Sequence, residues 1–180
     1  LNDRQFKGEI DRLRSPRRID MMEVPRVVAL CRENRDIKGV LDVGTGSGIF
    51  AEAFAAAGMA VSGIDIREDM LEAARQFVPD GDFAVGRMEA LPFEEESIDL
   101  VFLGHVFHEA DDLEQALGEA ARVARQRVAI FEWIHRKEDF GPPLDHRLTE
   151  ETVASVARPI GFARAKTTLL EHMVLYRFDV

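Results

Sequence analysis

A short apolar run in this sequence ends on an acid and then on three glycines: Val40-Leu41-Asp42-Val43-Gly44-Thr45-Gly46-Ser47-Gly48. Glycines at a strand-to-helix turn let a ligand meet backbone N–H groups that side chains would otherwise cover. Their spacing narrows the ligand. A dinucleotide loop needs G-x-G-x-x-G, whereas here the third glycine comes one residue early, with Ile49 behind it. A phosphate loop needs Lys and then Ser or Thr after its last glycine, and Ile49-Phe50 stands there instead. Without a phosphate cradle, the acids become informative. Asp42 can attract an ammonium group and accept hydrogen bonds from it. Asp65, 19 residues beyond Gly46, falls where an acid accepts from ribose hydroxyls. Either acid alone reads equally well as a polar strand end. Together with the loop they describe a seat for a cationic ribonucleoside without phosphates, which is the chemistry of S-adenosylmethionine.

The elements that must position these groups alternate along the chain. Strands are expected at Val40 to Val43, Ala60 to Ile66, Phe83 to Gly86, Ile98 to Leu103 and Val128 to Trp133. Between them, Ile49, Phe50, Ala53, Phe54 and Ala57 recur at helical spacing, as do Met70, Leu71, Ala74, Phe77 and Val78. Asp112 with Gln115 resembles a capping box opening a helix that buries Leu113, Ala116, Leu117, Ala120 and Val123. Thr149 is the expected N-cap of a further helix, which Pro159 and Gly161 close. Ala163 to Phe178 reads as two strands folding back around Glu171. Before Gly39, Ser15-Pro16 marks a helix start and Pro25 is expected to divide the helical region in two. The pattern predicts an α/β fold: a Rossmann-like, doubly wound, mostly parallel sheet with helices on both faces and an antiparallel C-terminal hairpin. Residues 1–38 are expected to form a helical cap packed on a single core of residues 39–180.

The chain resembles the class I S-adenosylmethionine-dependent methyltransferases, in particular the type 11 branch. The likeness runs from about Val40 to Trp133. It rests on Asp42, Gly44, Gly46 and Gly48 as D-x-G-x-G-x-G, on Asp65 as the ribose acid, on Gly86-Arg87-Met88-Glu89-Ala90-Leu91-Pro92-Phe93, and on Asp99-Leu100-Val101 in the fourth strand. The resemblance implies S-adenosylmethionine as cofactor and S-adenosylhomocysteine as product. It implies cofactor contacts from Asp42, Gly44, Thr45, Gly46, Ser47, Gly48, Asp65, Ile66, Met70, Met88, Glu89, Gly104 and His105. There are two departures. Arg87 stands where relatives commonly have an Asp that accepts from the adenine amino group; an arginine accepts nothing, so Glu89 or a backbone carbonyl must serve. Ala124-Arg125-Gln126-Arg127 replaces a longer turn before the fifth strand and reads as a trimmed surface connection.

Ligands of open α/β sheets collect beyond the carboxyl ends of the strands. That rule selects Gly104-His105-Val106-Phe107-His108 and Glu132-Trp133. Methyl transfer requires alignment, exclusion of water and, for a weak nucleophile, removal of a proton. His105 or His108 can be that base, or each can simply hydrogen-bond backbone at a helix entrance. Trp133, His146 and Tyr176 are candidates for the acceptor wall, with core packing an equal explanation for the two aromatics. No histidine pair has the spacing of a zinc site, so no metal is expected. The arginines at 12, 14, 17 and 18 suggest a lid or a solvated helix face.

Bulk properties fit an enzyme of modest size. The 180 residues suit one domain, with 46% hydrophobic and 31% charged residues. Cys31 is the single cysteine, which fits a reducing compartment. Leu1 to Ile19 mixes acids and bases without an apolar core, and no run approaches a membrane span, so a cytoplasmic location with no membrane partner is expected. A net charge of −10 argues against nucleic-acid partners. The expected function is methyl transfer from S-adenosylmethionine to a small-molecule acceptor. The alternative is a non-catalytic regulatory or scaffold protein that binds the same cofactor.

Overall fold

A computed structural model describes residues 13–180. Among the described residues, α1 spans Pro16–Met21 and α2 Val24–Arg32. Then follow β1 (Gly39–Val43), α3 (Ile49–Ala56), β2 (Ala60–Asp65), α4 (Glu68–Phe77), β3 (Asp82–Val85) and β4 (Ile98–Gly104). The second half contains α5 (Leu113–Val123), β5 (Ala124–Trp133), α6 (Glu150–Ala157), β6 (Arg164–Leu169) and β7 (Met173–Asp179). The strands form one seven-stranded sheet in the order β3-β2-β1-β4-β5-β7-β6. All pairs are parallel up to β5, and β7 pairs antiparallel with both β5 and β6. The strand order reverses between β1 and β4, which leaves a crevice at their carboxyl ends.

Period-two alternation along the central strands feeds two cores. Val40, Phe102, Ala129 and Phe131 face the layer of Val27, Phe50, Phe54 and Leu71. Leu41, Val43, Leu103, Val128 and Ile130 face Phe107, Leu117, Val123 and Val153 on the other side. The fold and the hairpin around Glu171 are as the sequence predicts. So are both helix caps: the Asp112 Oδ1 accepts from the Gln115 N–H at 3.0 Å, and the Thr149 Oγ1 from the Thr152 N–H at 3.0 Å. Gln115 does not complete the box, because its side chain donates instead to the Glu89 carbonyl at 2.9 Å. Asp112→Ala is therefore expected to cost about 1 kcal/mol, the usual loss for one cap, read as a lower urea midpoint at unchanged slope.

Two local expectations are corrected. The N-terminal helices divide at Glu23, whose φ is 48°, and not at Pro25, which occupies the first turn of α2 where its missing N–H costs nothing. The segment Ala124–Arg127 is no surface connection: α5 runs directly into β5. Arg127 is buried, donating to the Asp179 carboxylate at 2.8 Å and to the carbonyls of Cys31 and Glu33. Arg125 reaches the Asp99 carboxylate at 2.8 Å, whose other oxygen accepts from Lys38 N–H and Gly39 N–H at the entrance to β1. Those arginines replace a turn with ion pairs that tie the far ends of the strands together. Of the expected cap over residues 1–38, residues 1–12, Arg12 included, lie outside the described residues.

Candidate active site

At the carboxyl ends of β1, β2 and β4 lies a cleft of about 760 Å³, within the range of small-molecule sites. Its floor is the glycine turn. Gly44, Gly46 and Gly48 all have positive φ, at 66°, 52° and 78°. A Cβ on Gly44 would lie 2.4 Å from Val106 Cγ2, so the turn closes against the segment leaving β4. The role of Gly48 is different: it caps α3, does not line the cleft, and a Cβ there would meet Ala74 of α4 at 2.9 Å. That third glycine therefore serves helix packing.

The two acids hold the turn while facing the cleft. Asp65 Oδ2 accepts from the Gly46 N–H at 2.9 Å and Oδ1 from the Arg67 N–H at 2.9 Å. Each oxygen still has a lone pair for a ligand hydroxyl. Burial raises the Asp65 carboxyl above its usual range, against the pull of those N–H donors. Asp42 is 2% exposed, and its Oδ2 accepts from the Thr45 hydroxyl at 2.8 Å. Burial pushes its carboxyl up to about 7; the Thr45 hydroxyl lowers it and nearby Asp65 raises it. A buried carboxylate raised this far is one that a cationic ligand would return to its charged form. Beside it, the buried Ser47 Oγ has no hydrogen-bond partner among the described residues. An orphaned hydroxyl, a raised carboxyl and a backbone cradle closed to side chains fit a small polar ligand carrying positive charge.

Ile66, Met70, Met88 and Glu89 line the same cleft beyond Asp65. Arg87 turns outward to the Asp111 carboxylate at 2.5 Å, and Glu89 Oε1 accepts from the Asp111 N–H at 2.9 Å. At the opposite end stand Gly104, His105, His108, Glu109 and Trp133, with Gly141 and Pro142. His105 has a φ of 57°, an uncommon conformation for a residue with a Cβ. Its ring stacks between Phe131 and Trp133, with centroids at 4.7 and 5.1 Å, and its Nε2 lies 3.2 Å from Met173 Sδ. Burial, then the charges of Arg18 and His108, holds this imidazole well below its usual value, so it is neutral at pH 7. His108 sits on the other face of the sheet, buried, with Nδ1 at 2.9 Å from both oxygens of Glu132.

The proposed acceptor residues do not all converge. Trp133 lines the cleft, whereas His146 is half-buried in the turn Leu144–His146 off its wall. Tyr176 pairs with Ile130 on β5 and packs in the second core, since positions 130 and 133 of one strand face opposite ways. Among the described residues no group of three or more His, Cys, Asp or Glu stands together as a metal site. The arginine run splits. Arg17 is exposed and Arg18 lines the cleft, while Arg14 donates to the Ser47 carbonyl at 2.8 Å, pairs with Glu52 and lies 3.4 Å over the Phe77 ring. Leu13, Arg18 and Met22 thus bring the N-terminal segment to the cleft, Leu13 beside the Gly46 turn and Arg18 close enough for its charge to act on His105. Sequence reasoning did not pair Glu132 with His108. A charged residue inside the apolar run Val128 to Trp133 was the available signal, because such a group must find a partner when buried.

The family model described as a methyltransferase domain matches residues 41–131. The demethylmenaquinone methyltransferase of Renibacterium salmoninarum is 34% identical over 105 residues, covering 57% of this chain and 44% of that protein. The malonyl-[acyl-carrier protein] O-methyltransferase of Methylococcus capsulatus is 37% identical over 91 residues, covering 48% of this chain and 33% of that protein. The chain thus spans less than half the length of both curated relatives. In fold, it is similar to the crystal structure of a SAM-dependent methyltransferase from Aquifex aeolicus, at a TM-score of 0.82 and 23% identity, covering 95% of this chain and 96% of that one. No helix among the described residues is long and apolar enough to cross a membrane. The family match falls on the glycine turn, both acids and the strand tips that frame the cleft, and by it the chain belongs to the class I S-adenosylmethionine-dependent methyltransferases, in the type 11 branch.

Proposed function

We propose that this chain transfers the methyl group of S-adenosylmethionine to a small-molecule acceptor. The observation that carries the reading is the buried Asp42, raised to about 7 with no cation beside it among the described residues, next to the orphaned Ser47 hydroxyl and the Gly44–Gly46 turn. Bound there, the cofactor supplies a methyl group already activated by a sulfonium leaving group. The chain's own residues do the rest. Asp42 holds the ammonium group, Asp65 accepts from the ribose hydroxyls, and the Met88–Glu89 side encloses the base. His105, neutral and stacked on Phe131 and Trp133, forms an apolar wall that keeps water from the transfer zone. The curated relatives, by name, act on demethylmenaquinone and on a malonyl acyl-carrier protein, and a small-molecule acceptor for this chain follows that pattern.

Asp65→Ala is expected to weaken S-adenosylmethionine binding by about 1–3 kcal/mol, the range for lost hydrogen bonds to a charged group. Calorimetry with the cofactor and with S-adenosylhomocysteine measures this directly, and an unchanged affinity removes Asp65 from the site. A tritiated-methyl screen of a metabolite extract then tests transfer. Binding heat with no labelled product in any extract supports a non-catalytic binding protein instead.

A further inference from the structure

Resting on the reading that the Gly44–Gly46 turn seats the cofactor, we propose that Arg14 is a positioning residue for it: its guanidinium clamps the Ser47 peptide, and that clamp sets how fast the cofactor leaves. Arg14 stands just before α1, and its side chain is 16% exposed. Three partners from three parts of the fold meet it there. Its Nη1 donates to the Ser47 carbonyl at 2.8 Å, in the turn between β1 and α3. Its Nη2 pairs with the Glu52 carboxylate in the first turn of α3. Its Cζ lies 3.4 Å over the centre of the ring of Phe77, the last residue of α4. A guanidinium can serve all three at once, because its donors point out in the plane while its face stacks on an aromatic. An ammonium group is a point charge and keeps the ion pair alone.

The Ser47 peptide needs such a partner. Its neighbours are held by β2 and by the turn itself: the Thr45 N–H donates to the Ile64 carbonyl, the Gly46 N–H to Asp65 and the Gly48 N–H to the Thr45 carbonyl, each at 2.9 Å. Ser47 lies between Gly46 and Gly48, and glycines on both sides leave a peptide free to rotate. The bond from Arg14 to its carbonyl restricts that rotation. The buried Ser47 hydroxyl, which has no hydrogen-bond partner among the described residues, is aimed by the same backbone. Leu13, the residue before Arg14, lines the cleft, with its Cδ1 3.8 Å from where a Cβ on Gly46 would stand. One short stretch thus steadies the turn and covers it. A cofactor seated on the turn lies beside Leu13 and leaves when the stretch lifts. The Glu52 side chain is 46% exposed and Phe77 43%, so the clamp opens at the surface without exposing the core.

The test follows release of tritiated S-adenosylmethionine from the whole chain, chased with excess S-adenosylhomocysteine. Arg14→Gln is expected to release the label about tenfold faster than the parent, with affinity lower by a similar factor and association little changed, as when a bond to a charged group is lost. Arg14→Lys, which keeps the charge, is expected to fall between the two. Glu52→Gln is expected to speed release as well, yet to add nothing on top of Arg14→Gln, because it acts through that guanidinium. In the unmutated chain, release should quicken as salt rises to about 1 M, where screening reaches ~3 Å, a readout that needs no variant to fold. Arg14→Gln should lose that response. A lower urea midpoint in Arg14→Gln with release at the parent rate overturns the inference, as do additive effects of the two substitutions or parent release indifferent to salt. S-adenosylhomocysteine binding with release unaltered in Arg14→Gln defeats the clamp alone, whereas no heat with S-adenosylhomocysteine and no retained label defeat the methyltransferase reading beneath it.

Discussion

Asp42→Asn is expected to make the protein more heat-stable at pH 8 and, in the same molecule, a much poorer binder of S-adenosylmethionine. The carboxyl of Asp42 is raised to about 7 in the folded chain, while an unfolded aspartate ionises near pH ~3.9. Between those values the folded state keeps a proton that the unfolded state has lost. Stability conferred by the protonated carboxyl is therefore full below pH ~4 and declines as the pH rises toward 7, by as much as about 4 kcal/mol. An asparagine still accepts from the Thr45 hydroxyl but does not ionise. The variant and the parent should then have similar melting temperatures at pH 4, with a gap that opens up to pH 7 and stays constant above. Ligand binding runs the other way. If Asp42 holds the ammonium group as proposed, removing that charge from a desolvated site should cost about 3 kcal/mol, on the order of a hundredfold in affinity. Parent affinity should fall roughly tenfold from pH 7.5 to pH 6, with proton release on binding, because Asp42 must first ionise. Affinity in Asp42→Asn should lose that dependence. Calorimetry in two buffers of different ionisation heat counts the protons; a pH-independent parent affinity would place the cation elsewhere.

Gly44→Ala is expected to be the most damaging single methyl group that can be added to the site. The new Cβ would stand 2.4 Å from Val106 Cγ2 and 2.7 Å from Val106 Cβ, with φ at +66°. The positive φ costs an L residue about 1–2 kcal/mol, and forcing a methyl into a packed contact adds about 1–3 kcal/mol. The turn and the segment leaving β4 must then separate, and that shift displaces both the N–H groups of the cradle and His105. A lower urea midpoint and loss of S-adenosylmethionine heat are expected together. Val106→Gly removes the obstructing atoms, so in a double-mutant cycle it should recover the contact share and leave the φ share. Additive losses in that cycle would mean that the requirement for glycine comes from backbone conformation alone.

Much of this protein was written in local pattern. The glycine spacing, the acids at 42 and 65, the caps at Asp112 and Thr149 and the order of strands and helices each depend on a few neighbouring residues, and each is found where the sequence places it. What the sequence left open depends on which face of a strand a residue occupies and on what crosses from another element. Tyr176 and Trp133 looked alike as aromatics near strand ends, yet the pleat sends one into the second core and the other to the cleft. The short Ala124–Arg127 stretch read as a connection because nothing local announces that Arg127 meets Asp179, 52 residues on. Gly48 shared a motif with Gly44 and Gly46, but only the packing of α3 on α4 gives it a structural role instead. The pairing of His108 with Glu132 is of the same kind. Side-chain identity and short spacing announce the glycine turn, the caps and the order of elements, because each is written within a few residues, whereas the Gly46–Asp65 bond and the Gly44–Val106 contact close the turn only in the fold. The end of the cleft lined by His105, His108 and Trp133 was decided by tertiary contact, because it is assembled from the tips of strands far apart in the chain.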